Sequence, residues 1–211
     1  MSGMGERLNL ALVIGGLAAL GASAAWYLNK QGLFRKLIAS KKKLGSYVIV
    51  YSEHVGPYKD VATEYRRVYE LLKSNGIEGS KSCGFYFDDP AEVPGEKCRT
   101  SIGMIVREGL DANALALAKE EMLAHRVIKD EGLKVGVLQE TECMSIEFPL
   151  HGHLSILIAV KRGYPELMKH VDCSKHGCSL EVYNWRDMKL FITVPLEQLD
   201  DFKPFEIKKE S

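Results

Sequence analysis

The chain has 211 residues, 46% of them hydrophobic, and its 28 lysines and arginines balance 28 aspartates and glutamates. That length and composition fit one globular domain with an appendage. Zero formal charge leaves no net field to gather a phosphate backbone, which argues against direct nucleic-acid binding. The five cysteines, at positions 83, 98, 143, 173 and 178, have no disulfide-framework spacing and suit a reducing compartment.

After a short segment, 1–7, residues 8–28 are apolar or small except for Asn9 and Ser23, and no charge falls between Arg7 and Lys30. About 20 such residues cross a hydrocarbon layer as a helix. Trp26 and Tyr27 favour the headgroup boundary at its end. Ala22-Ser23-Ala24 offers the alternative of a cleaved signal peptide. The longer run and the cations that follow it (Lys30, Arg35, Lys36 and Lys41 to Lys43) favour an uncleaved anchor with the C-terminal side in the cytosol. Gly15, Ala19 and Ser23 form a small-xxx-small row. Residues 29–45 read as a basic juxtamembrane linker.

The soluble domain is expected over 46–200. Tyr47 to Tyr51 has strand composition, and Gly56-Pro57 turns the chain into a helix carrying Val61, Tyr65, Val68, Leu71 and Leu72. Asn75-Gly76 closes that helix. Strands follow at 84–87 and 99–106. A helix is predicted over 114–129, with Leu115, Ala118, Met122 and Val127 as its buried stripe and Gly132 as its stop. Short strands are predicted at 134–138 and 142–148. Residues 153–161 fit either helix or strand, 164–171 are helical, and strands begin at Leu180 and Leu190. The tail, 201–211, is charged and reads as frayed.

This order contains a repeat. A β-helix-β-β phrase over 46–107 recurs in shorter form over 142–196, so the fold class is α+β, built from two pseudo-symmetric halves with a cleft between them. Alternation along a strand puts Glu181 and Tyr183 on one face. Aligning the halves sets Phe85 and Phe87 beside them, with Val182 and Tyr86 turned to the helices. The cleft is thereby an aromatic pocket with one acid at its floor. A desolvated carboxylate there acts as a general acid or base, or holds a cationic ligand. The plainer alternative is a solvated Glu181 at a sheet edge, paired with a lysine.

The Tyr86-Phe87-Asp88-Asp89-Pro90 turn, the strand led by Cys98-Arg99, the Leu180-Glu181-Val182-Tyr183 strand and the later Ile192 to Leu196 together resemble the GyrI-like small-molecule-binding domain family over 46–196. With the anchor, the chain resembles the testis-expressed protein 264 family of single-pass endoplasmic-reticulum membrane proteins. The resemblance implies a cytosolic domain in which Glu181 is the ligand-facing glutamate, with Phe85, Tyr183 and Trp185 as companions. It also implies a role in selective autophagy of the endoplasmic reticulum, with ubiquitin-like autophagy modifiers and an AAA ATPase as partners. Some soluble relatives hydrolyse strained cyclopropane-containing compounds, which makes a Glu181-dependent hydrolase the alternative.

The receptors of that family carry an aromatic-x-x-aliphatic motif in a long tail. Here the tail sequences at 202–205 and 205–208 fail it, and matching sequences occur at 34–37, 65–68, 164–167 and 191–194. No cofactor is expected. His170, Cys173, His176 and Cys178 lie close in sequence but lack the second ligand pair of a structural zinc site, so a plain loop is expected there and no metal.

Overall fold

A single antiparallel sheet of eight strands organises the computed structural model, which describes residues 2–171, 178–196 and 199–207. In chain order the elements are α1 (Ser2–Lys30), β1 (Ser40–Leu44), β2 (Tyr47–Val55), α2 (Val61–Ser74), β3 (Lys81–Tyr86), β4 (Arg99–Glu108), α3 (Ala112–Ala124), α4 (Arg126–Asp130), β5 (Lys134–Leu138), β6 (Thr141–Pro149), α5 (His153–Leu167), β7 (Ser179–Asn184) and β8 (Lys189–Pro195). The strand order is β1-β6-β8-β7-β3-β4-β2-β5.

The predicted repeat is visible in that order. The phrase β2-α2-β3-β4 recurs as β6-α5-β7-β8, and the halves join where β3 pairs with β7, with Gly84 opposite Glu181 and Phe85 opposite Leu180. The extra strands β5 and β1 extend the two outer edges, on β2 and β6. The α+β fold read from the sequence is therefore the fold observed.

The helices cover one face of the sheet. Val68 and Leu72 of α2, Leu115, Ala118 and Met122 of α3, and Val127 and Ile128 of α4 pack on Val48, Val50, Met104 and Val106. Ile158, Ala159 and Leu167 of α5 pack on Ile146, Phe148, Leu190, Ile192 and Val194. Helix α2 stops as its sequence dictates: Gly76 has φ 72°, and the Ile77 N–H reaches back to the Leu72 carbonyl, which caps the last turn. Residues 153–161, ambiguous by periodicity, are helix. The helix expected over 114–129 is two, because His125 is extended (ψ 130°) and the chain restarts as α4, which returns Val127 and Ile128 to the same core.

The stretch read as a linker contributes β1, paired with β6 from Ser40↔Ser145 to Leu44↔Thr141. The tail also departs from expectation: Phe202 and Phe205 are buried on the sheet face opposite the helices. Phe205 stacks on Phe85 with centroids 4.2 Å apart. A side chain at Gly136 would lie 2.3 Å from the Phe205 ring, so glycine makes that seat possible. Ser101 Oγ donates to the Phe205 carbonyl at 2.7 Å, and Tyr51 Oη to that of Pro204 at 2.7 Å.

The Asp-Asp-Pro turn and the Cys-Arg strand form one device. Arg99 grips the buried Asp88 through Nε at 2.8 Å and Nη2 at 2.9 Å, and its Nη1 donates to the Ile207 carbonyl at 2.7 Å. One guanidinium therefore ties the β3–β4 connection to the C-terminal segment. Arg99→Ala removes the guanidinium from the buried carboxylate but keeps the backbone N–H that donates to Asp88 at 2.8 Å, so the loss is expected to be at most about 3–5 kcal/mol. A denaturant midpoint unchanged from the parent protein would contradict this account.

Candidate functional site

Strand β7 turns Ser179, Glu181 and Tyr183 toward the helices, and its register with β3 sets Tyr86, Gly84 and Ser82 directly beside them. Glu181 is only 3% exposed. Tyr164 of α5 donates to its Oε1 at 2.7 Å, and Tyr183 donates to its Oε2. The Tyr164 hydroxyl also lies 3.0 Å from Ser179 Oγ.

From the other half of the domain, Tyr65 of α2 stands edge-on to Tyr183 at 5.5 Å. Tyr58 stands edge-on to Tyr86 at 5.0 Å and donates to the Asp88 carbonyl at 2.8 Å. A side chain at Gly84 would come within 2.3 Å of Tyr65 Oη. Glycine directly opposite Glu181 is thus what admits the α2 tyrosine to the strand. The Tyr65 hydroxyl is itself buried and makes no hydrogen bond of normal geometry, though Tyr86 lies near enough to perturb it.

Burial pushes the Glu181 carboxyl above its ordinary value, and hydrogen bonds from Tyr183, Tyr164 and Tyr86 offset only part of that. Burial likewise raises the phenols of Tyr65, Tyr164 and Tyr183, and the carboxylate charge pushes in the same direction. Among the described residues no cationic side chain contributes to the Glu181 shift. Such a group has two chemical uses. Neutral, it donates a proton; ionised, it is an uncompensated charge among ring faces, the complement of an organic cation.

Only part of the expected constellation comes together. Glu181 and Tyr183 share the site, but Phe85 and Phe87 lie on the opposite face, as does Val182, which was expected on the helix side. The cause is a one-residue offset between the repeats: an even-numbered β3 position, not an odd one, shares a face with Glu181. Tyr86 takes the place assigned to the phenylalanines. Trp185 sits in the β7–β8 turn, 48% exposed. Sequence reasoning missed Tyr164 and used Tyr65 only as part of a core stripe.

On the face opposite Glu181 a cavity of about 310 Å³ opens, bordered by Val182, Phe191, Leu44 and Lys42. Cys98 and Cys143 are buried with free thiols. Of the loop considered for a metal, Cys173 and His176 lie outside the described residues. Among the described residues no three ligand-type side chains converge. Helix α1 contains one stretch, Leu12–Lys30, long and apolar enough to cross a membrane, none of it buried against the protein.

A family model for the GyrI-like small molecule binding domain matches residues 40–189, and the chain belongs to that family. It is similar to the testis-expressed protein 264 homolog of Mus musculus, 27% identical over 178 residues that cover 81% of this chain and 52% of the relative. It is also similar to testis-expressed protein 264 of Homo sapiens, 25% identical, covering 81% of this chain and 51% of that one. The chain spans about half the length of these curated relatives. Among solved structures it shares its fold with the EcmrR C-terminal domain at a TM-score of 0.50 and 13% identity, covering 76% of this chain and 98% of that one.

The raised Glu181 carboxyl links stability to pH. Folding favours the protonated acid, so this contribution is complete below the ordinary glutamate range and is lost as pH rises through the elevated folded value. Glu181→Gln holds the neutral shape at every pH. Relative to that variant, the parent protein is expected to lose stability as pH rises from the ordinary glutamate range, about 4, through the elevated folded value, read as diverging denaturation midpoints. Parallel midpoints across that range would refute the assignment.

Proposed function

We propose that this chain is a membrane-held receptor for a compact aromatic cation. Glu181 serves as the counter-ion, and Tyr65, Tyr86, Tyr164 and Tyr183 form the walls. The observation that carries this reading is a buried carboxylate whose direct partners are tyrosine hydroxyls. A cation takes the place of the proton that burial now favours on Glu181, and desolvated contacts with ring faces add about 2 kcal/mol each. Tyr65 and Tyr164, both half-buried, come from different helices, so parting α2 from α5 opens a path to the acid. We assign α1 to the endoplasmic-reticulum membrane with the domain in the cytosol, from the cations that follow the span and from the family resemblance.

Two narrower roles compete. A hydrolase of strained electrophiles is favoured by the raised carboxyl, which retains a proton to donate at the substrate. An adaptor in endoplasmic-reticulum turnover that captures a ubiquitin-like modifier needs an aromatic-x-x-aliphatic segment free to pair as a strand; the resemblance adds an AAA ATPase as a separate partner. Residues 65–68 lie in α2, 164–167 in α5 and 191–194 in β8, and Leu37 of 34–37 packs in the α5 core.

Titration calorimetry with N-methylquinolinium and its uncharged isostere 1-methylnaphthalene separates the readings. The cation is expected to bind more tightly, with affinity rising with pH as Glu181 ionises and then levelling off. Glu181→Gln abolishes the preference. Equal binding of the two probes rules out the counter-ion role, and turnover of a cyclopropane substrate that Glu181→Gln eliminates establishes the hydrolase.

A further inference from the structure

Nothing slack separates the anchor from the domain. Helix α1 ends in a tight C-terminal motif: the Gly32 N–H donates to the Asn29 carbonyl at 2.9 Å, and the Leu33 N–H to that of Leu28 at 3.0 Å, with Gly32 at φ 91°. That glycine is pressed against β6, where an added side chain would stand 2.5 Å from the Phe148 ring. Arg162 of α5 then donates to the Gly32 carbonyl at 2.7 Å and to the Arg35 carbonyl at 2.9 Å. Gln31 is buried, and Leu33, Leu37 and Ala39 pack into the α5 core before β1 joins the sheet.

Two large apolar residues of this clamped stretch point the other way. Phe34 is 62% exposed and Ile38 68% exposed, beside the exposed cations Arg35 and Lys36. Solvent gives no reason for that arrangement, but the position along the chain does. From the boundary aromatics Trp26 and Tyr27 to Gln31 the helix rises only about 6–8 Å, and the interfacial layer on each side of a bilayer is itself about 5–8 Å deep. The turn at Gly32 bends the chain off the helix axis within that layer, where apolar rings embed and cations meet anionic headgroups.

The geometry points to a membrane-seated domain: Phe34 and Ile38 embed in the headgroup boundary of the bilayer that α1 crosses, Arg35 and Lys36 meet anionic lipid, and Arg162 locks the domain to that surface. The occupant of this patch is the lipid surface itself. The inference rests on the membrane-anchor reading of α1. It adds that the domain is docked on the bilayer instead of swinging from a tether.

The test uses the full chain reconstituted in phosphatidylcholine–phosphatidylserine vesicles. Trp26→Phe and Trp185→Phe remove the native indoles, and Phe34→Trp, Ile38→Trp or Leu117→Trp adds one reporter to an exposed position. Reporters at 34 and 38 are expected to lose most of their emission to brominated lipids and to resist aqueous acrylamide, with the reverse at 117 on α3. Behaviour at 34 and 38 matching that at 117 overturns the docking. Shielding at 34 and 38 that disappears when protein is diluted in lipid means a second copy covers the patch, and also overturns it. Alkaline carbonate extraction separates the two readings: a chain that washes off the vesicles fails as an anchored protein and so as a docked one, while a chain that stays but shows water-exposed reporters fails only as a docked one.

Discussion

The ladder between β3 and β7 carries the rest of the architecture, because it is the seam at which two β-helix-β-β halves become one sheet. Neither half has a closed core alone: β7 would expose Glu181 and Tyr183 on one side and Leu180 and Val182 on the other. Pairing in this register solves both faces together. Helix-side residues gather as Glu181 and the tyrosines, and those of the other face gather as Leu180 and Val182 with Cys83 and Phe85. A slip of one residue would carry the carboxylate to the phenylalanine side and take it away from the Tyr164 hydroxyl.

Each face then needs a lid. On the helix side, α2 and α5 supply it, and both bring a tyrosine to the seam, so the site belongs to neither repeat alone. On the far side the C-terminal segment covers Phe85, where Phe202 meets its ring edge-on and Phe205 stacks on it. Three polar groups hold that segment down: Ser101, Tyr51 and Arg99. The cleft of rings that the repeat suggested on this side is thus filled by the protein's own tail. The acid lies elsewhere, under the helices.

Helix α5 connects the end of α1 to the buried acid. Within three residues it holds the carbonyls just past the end of α1 through Arg162 and the buried carboxylate through Tyr164. Gly163 between them allows close approach to the sheet, since a side chain there would meet Ile192 at 2.8 Å. Membership in a small-molecule-binding family fits an acid set at the junction of two repeats.

Much of this was written in the residues themselves. Hydropathy and charge order alone mark α1, strand composition and helix periodicity locate most elements, the glycines at 76 and 132 mark helix ends, and the repeated phrase gives the two-half architecture. These signals are local, and local preference suffices where it agrees with the fold. What only tertiary structure decided is which residues meet. The face on which Phe85 lies depends on a register that no single strand encodes, Tyr164 reaches Glu181 only because α5 packs over β6 and β8 beside β7, and Phe205 is core only because Gly136 leaves it room. The linker became β1 and a clamped turn for the same reason: the unpaired edge of β6 and the Arg162 guanidinium offer hydrogen bonds that a stretch of lysines read alone does not reveal.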